Sequence, residues 1–193
     1  MKKRLLTLPL MLFTMSLVCV AQNRVQSKSP VKKSSATVAS IPLTGPAIVD
    51  NHLAFLGISL GESTITVKAK LVEKGMKVEK NIDGTTNINM MGNIDGVQSR
   101  VIIGVTNDNK VFSMSANDKK SYRLPQAKTR YNSLLSKIQS IYGKGAFDVN
   151  EADMKRYIIK TSKGVVTVEL YNEDEMDGAS ESYCIAIGLS ENW

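Results

Sequence analysis

Asn87-Ile88-Asn89-Met90-Met91-Gly92-Asn93-Ile94-Asp95-Gly96-Val97-Gln98-Ser99-Arg100-Val101-Ile102-Ile103-Gly104-Val105-Thr106 decides how this chain folds. Two β-like runs, 87–94 and 97–106, are separated only by Asp95-Gly96. Asp-Gly between such runs is a strong hairpin signal, because the matching tight turn needs a positive φ at both central positions. In the second run Val97, Val101, Ile103 and Val105 fall on one face. Strands joined this tightly pair antiparallel. The pattern extends both ways. Residues 76–82 form a run ending at Asp83-Gly84, and Asn107-Asp108-Asn109 turns the chain into a further run over 110–115.

Working outward, Leu53, Phe55 and Leu56 form a short strand ending at Gly57. Ser63 can cap a helix by accepting a backbone N–H. Val67, Leu71 and Val72 would share one side of that helix, and Gly75 suits its end. A second helix begins at Pro125, which fits a first turn because its missing N–H costs nothing there. Ala127, Tyr131, Leu134, Leu135, Ile138, Ile141 and Tyr142 follow helical spacing, and Gly143 or Gly145 ends the run. Strands over 155–161, 165–171 and 182–189 follow. The order is helix then strands, twice. It predicts an α+β fold: a two-layer domain of mainly antiparallel sheet with two principal helices and an internal helix-then-strands repeat. No repeated βαβ unit points to a doubly wound sheet.

The amino-terminal stretch sets the expected address. Lys2, Lys3 and Arg4 precede an uncharged run over 5–20, which ends in Cys19-Val20-Ala21 and is followed by Gln22-Asn23. That is the layout of a signal peptide, residues 1–21, cleaved near Ala21. The run is short for a spanning helix and contains Pro9. Val18 before Cys19 fits a lipid-anchor signal poorly. The expected product is periplasmic or extracellular, with no transmembrane segment. Residues 22–50 read as a flexible tether, Ser- and Lys-rich to about Ser40 and extended from Ile41, and 51–193 as a single domain.

The net charge of +7 follows this division. Lys2, Lys3 and Arg4 lie in the leader, and Arg24, Lys28, Lys32 and Lys33 in the tether. From Asn51 onward 18 basic residues face 17 acidic ones, too even a balance for a nucleic-acid-binding surface. Without Cys19 the only cysteine is Cys184, so the fold must rest on its apolar core rather than on an internal disulfide.

His52-Leu53-Ala54-Phe55-Leu56-Gly57-Ile58-Ser59-Leu60-Gly61, with the helix end Lys74-Gly75-Met76, resembles the opening of small exported proteins of Bacteroidetes. In those proteins "F-x-G-I-P-hydrophobic-G" precedes a helix ending in "K-G-F". Tyr131-Asn132-Ser133-Leu134-Leu135 through Ile141-Tyr142-Gly143-Lys144 is similar to their second helix, which ends in "Y-G-K-P". Tyr183-Cys184-Ile185-Ala186-Ile187 is similar to their last strand. The chain departs at Ser59, where proline is usual, and at Gly145. The resemblance implies a fold of helix-then-sheet repeats, distantly similar to β-lactamase-inhibitor-type folds and small outer-membrane assembly factors. It carries no activity.

Chemistry-bearing residues are few. A nucleophile pair of Cys184 and His52, the only histidine, would need both within hydrogen-bond reach. The plainer reading is a surface histidine and a small cysteine in a strand. If the strand face of Cys184 is open, it becomes a reactive thiol. Glu173, Asp174, Glu175 and Asp177 lack the alternation of a calcium loop, and Asp148, Asn150 and Asp153 lack its turn glycine. No phosphate loop, dinucleotide fingerprint, G-x-S-x-G or H-E-x-x-H is present, and no cofactor is expected.

Charge is unevenly spread. Lys119, Lys120, Arg123, Lys128, Arg130, Lys137 and Lys144 face only Asp118 over 116–145, whereas the remainder to Trp193 carries four basic and ten acidic residues. Either Lys119, Lys120, Arg123, Lys128, Arg130 and Lys137 form an interaction surface, or opposite signs pair within the domain. The leading expectation is an exported, non-enzymatic module binding a protein or other envelope component on its sheet face or an edge strand. An inhibitor-like protein of an extracytoplasmic enzyme and a small carboxylate hydrolase are the alternatives. An exposed apolar patch on the sheet would favour binding. A deep pocket with two convergent carboxylates would favour an enzyme.

Overall fold

A computed structural model describes residues 39–80, 87–172 and 182–191. Three short strands come first: β1 (Ile48–Val49), β2 (His52–Phe55) and β3 (Ile58–Ser59). They form a small antiparallel sheet in chain order. Its turns are Asp50-Asn51 and Leu56-Gly57, all four at positive φ. That is the two-residue hairpin geometry whose twist matches the flanking strands.

Helix α1 (Thr64–Glu73) follows, and Ser63 accepts from the Thr66 amide at 3.2 Å. Val67 and Leu71 are buried, but Val72 is 50 % exposed. At 100° per residue Val72 is turned off the 67/71 stripe, so it leaves the face expected of it. Strands β4 (Lys77–Glu79), β5 (Ile88–Ile94), β6 (Val97–Val105) and β7 (Val111–Asp118) come next. Asp95 and Gly96, both at positive φ, make the expected turn between β5 and β6. The Asp83-Gly84 turn lies outside the described residues.

Helix α2 (Leu124–Tyr142) opens with proline in its first turn and stops at Gly143, φ 93°. Ala127, Tyr131, Leu134 and Ile138 are buried, while Leu135 and Tyr142 pack partly buried against the core. Strands β8 (Ala146–Asn150), β9 (Lys155–Lys160), β10 (Gly164–Asn172) and β11 (Tyr183–Glu191) complete the chain. β8 is an element the sequence reading lacked.

The eight strands β4–β11 form one sheet in the order β4-β5-β6-β7-β11-β10-β9-β8, with every neighbouring pair antiparallel. Each half is a helix followed by four strands, and the halves meet where β7 pairs with β11. The fold is α+β in two layers with an internal repeat, as the sequence predicts. The core lies between sheet and helices. It joins Val67 and Leu71 of α1 and the α2 stripe to Met90, Val101, Ile103, Met114, Val166, Val168, Ile185 and Ile187 of the sheet.

The folded body begins earlier than Asn51. Ile41 and Leu43 are buried. The Ile41 amide donates to Asn93 O at 2.8 Å, and Ile41 O accepts from the Asp95 amide at 2.9 Å. Residues 41–50 therefore belong to the domain rather than to a tether, and the described residues lie in one compact unit. Residues 1–38, and with them the signal peptide and the rest of the tether, lie outside the described residues. So does the acidic stretch 173–177. Among the described residues no helix is long and apolar enough to cross a membrane.

Candidate functional site: the open face of the sheet

Side chains alternate across a strand, so each strand of the large sheet serves two faces. Met114, Ala116, Ile185, Ile187 and Leu189 point to the helix layer and are buried. The other phase of the same two central strands is Ser113, Ser115 and Asn117 on β7, and Ala186, Gly188 and Ser190 on β11. The pairing sets Asn117 beside Ala186, Ser115 beside Gly188 and Ser113 beside Ser190. These six small residues form the floor of the face away from the helices, and all six are half-buried.

Taller side chains rise on both sides. Met91, Arg100 and Ile102 stand on β5 and β6, and Ile158, Val165 and Glu169 on β9 and β10. Ile102 and Thr167 lie three strand spacings apart, about 14 Å, so the floor is a shallow trough. A side chain at Gly188 would enter it, since a Cβ there would come within 2.7 Å of Thr167 Oγ1. Charges line the flanks in pairs. Arg100 Nε is 2.9 Å from Glu79 Oε2, and Arg156 Nε is 3.3 Å from Glu169 Oε1. Asn93 Oδ1 and Asn117 Nδ2, both on this face, are shielded from solvent and have no hydrogen-bond partner among the described residues.

The residues singled out from the sequence lie elsewhere. Cys184 belongs to this side of β11 but is only 2 % exposed. The open access on which a reactive thiol was conditional is therefore lacking at Cys184. Cys184 and His52 do not meet. His52 Nδ1 is 2.6 Å from Glu191 Oε1, and Glu191 is seven residues, about 23 Å, along β11 from Cys184.

Two of the six basic candidates are held inside the domain. Arg130 Nε donates to Asp118 Oδ2 at 2.9 Å, and Arg130 Nη1 to Asp95 Oδ2 at 2.9 Å. Lys137 Nζ donates to both Asp95 oxygens, at 2.5 and 2.6 Å. For these two, charge pairing within the domain replaces the expected interaction surface. Asp118 also accepts from Tyr122 at 2.8 Å and from Ser99 at 3.3 Å. Burial raises the Tyr122 hydroxyl far above its ordinary value, and the Asp118 carboxylate adds to the shift. Arg130 is held still more firmly protonated: burial opposes its charge, but the two carboxylates outweigh it. Lys119, Lys120 and Arg123 are exposed and Lys128 is half-buried, with Lys120 Nζ 5.5 Å from the Tyr122 ring centre.

Several carboxylates outside this network are also paired. Glu62 pairs with Lys70, Asp148 with Arg156, and Asp108 with Lys110. Asn150 accepts from Lys155. Among the described residues no three His, Cys, Asp or Glu side chains gather as a metal site. One small cleft, lined by Leu43, Pro46, Phe55, Leu56, Ile141 and Tyr142, has room for about one water molecule. The open face was missed in the sequence because the apolar phase of each strand drew the reading. Its signal was present in the other phase, where positions 113, 115 and 117 of β7 and 186, 188 and 190 of β11 carry small side chains, with the Phe112 ring beside Gly104 at one end. Comparison of the chain with protein-family models, with curated proteins and with solved structures finds no match.

Proposed function

We propose that this chain is an exported, non-enzymatic binding module that receives a protein partner on the open face of its large sheet. One observation carries the reading. The described helices occupy a single face, leaving eight strands whose centre is a trough of small side chains between taller flanks. A sheet face of this kind offers a broad, stiff surface, because its backbone is hydrogen-bonded on both sides of every central strand. Binding there costs little ordering of the module itself. The charged leader, apolar run and small-residue cleavage pattern over 2–21 support export.

A photocrosslinking side chain at Ser115 tests the reading. It should capture a discrete species in envelope extract, while the same group at Ile65, 82 % exposed on α1, should not. Equal capture from both positions, or capture from Ile65 alone, would remove the open face as the docking surface.

A further inference from the structure

We infer that the partner received by the open face is a second copy of this chain. The inference rests on the reading of that face as a docking surface, and the strand registers carry it further. One row across the face runs Met91, Arg100, Asn117, Ala186, Glu169, Arg156. The seam between β7 and β11 cuts this row in the middle. Arg100 is the second residue on one side of the seam, and Glu169 the second on the other.

A twofold interface requires that residue i meet residue j while j meets i. Consider a twofold axis above the seam and parallel to the strands. It lays β6 of one copy over β10 of the other, and sets Arg100 against Glu169 of the second copy twice. The same operation sets Ser115 over Gly188 and Asn117 over Ala186, so the shortest side chains meet at the centre. The taller flanks meet each other and set the spacing of the two sheets near the usual ~10 Å, a gap that Arg and Glu side chains together can bridge. The face measures roughly 38 by 20 Å from strand spacing and rise, near the ~800 Å² per partner of a standard specific interface. Arg100 and Glu169 keep their partners Glu79 and Arg156 in the single chain, so the added pairs complete a four-charge cluster rather than leave one unpaired.

The test is sedimentation equilibrium on the full chain as purified from the expressing cell. The unaltered chain should show a monomer–dimer equilibrium. Arg100→Glu alone and Glu169→Arg alone should each raise the dissociation constant at least about tenfold, since each sets like charges together across the axis. The double variant R100E/E169R restores opposite charges across the axis and should return the constant to within about threefold. Rescue within one chain is not available, because the two positions lie about 14 Å apart and salt screens charges beyond ~8–10 Å. Arg100→Gln and Glu169→Gln, milder changes, should weaken the dimer less than the reversals, and thermal unfolding of every variant checks that the fold persists.

A chain that stays monomeric at about 100 µM, or a dimer indifferent to both reversals, overturns the inference. The photocrosslinker at Ser115 separates the two readings. Capture of a different molecule by a monomeric chain removes the second copy and keeps the docking face, and capture of nothing removes both.

Discussion

The Arg130 guanidinium of α2 in the second half of the chain closes on the Asp118 carboxylate at the end of β7 in the first half, 2.9 Å from Nε to Oδ2. Its other edge reaches Asp95, in the β5–β6 turn, at the same distance. Asp118 is only 5 % exposed, so this is a buried charge that depends on its partners. Removing one member of a buried ion pair typically costs about 3–5 kcal/mol, because the other charge is left uncompensated. Arg130→Met should therefore destabilise by about that amount in urea unfolding. Lys137→Met should cost no more than ~1 kcal/mol, because the lysine side chain is 43 % exposed and Arg130 still serves Asp95. Equal losses would mean that the two cations share the load.

The same network sets an acid limit. Burial alone would raise the Asp95 carboxyl, but hydrogen bonds from Lys137 and Arg130 outweigh it and hold the group below its ordinary 3.8. A depressed folded-state value means that the stabilisation is complete above the ordinary value and is lost as pH falls through the lower one. Unfolding midpoints should fall between about pH 5 and pH 3. In Asp95→Asn that acid-side loss should be smaller, from a lower starting stability. An unchanged acid slope in the variant would remove Asp95 from the cause.

The repeat was legible because each half opens with a helix that carries its own punctuation, Ser63 and Gly75 in one, Pro125 and Gly143 in the other. Those are local signals. The misses are long-range. β8 is an edge strand on which Phe147 and Asp148 are exposed, so it needs no apolar pattern to announce it. Residues 41–50 read as the extended end of the tether because of Pro42 and Pro46, yet Ile41 docks on Asn93 and Asp95, more than fifty residues away. The Arg130 contacts likewise span 12 and 35 residues, and no spacing rule finds them. The open face was written in the off-phase positions of β7 and β11, but only their pairing shows that the two rows of small residues are neighbours.

Two tyrosines should respond oppositely to loss of the hydroxyl. Tyr122 donates to Asp118, and a hydrogen bond to a charged group is worth about 1.5–3 kcal/mol, so Tyr122→Phe should destabilise by that order. The Tyr131 hydroxyl is buried with no partner among the described residues, and burial pushes its pKa up to about 12. Tyr131→Phe removes an unsatisfied group and should be neutral or stabilising by about 1 kcal/mol. Raised values also mean stability held below pH 10 and lost above it, and Tyr131→Phe should lessen that alkaline loss. A destabilised Tyr131→Phe would reveal a partner for its hydroxyl.

Gly61 and Gly96 share a backbone conformation, φ 85° and 81°, but not their surroundings. A Cβ at Gly96 meets nothing within 4 Å, whereas one at Gly61 would fall 2.6 Å from the His52 ring. Alanine at Gly96 should cost only the backbone strain, about 1 kcal/mol. Alanine at Gly61 should cost that and more, because the ring must leave its contact with Glu191 to make room. Chemical denaturation of the two variants checks the order, and equal losses would show that His52 moves freely.

Cys184 offers a final measurement, on burial itself. Its thiol is 2 % exposed near the start of β11, where the residue pairs with Tyr171 of β10. A thiol reagent needs the thiolate in contact with solvent, so reaction in the folded chain requires the strand to open first. Labelling in native buffer should be at least about 100-fold slower than in denaturant, and urea well below the midpoint should speed it little until the strand opens. Arg130→Met, which loosens the junction of the two halves, should raise the native rate in step with its loss of stability. A native rate close to the denatured one would mean that this stretch of β11 is open to solvent, returning Cys184 to the role of an accessible thiol.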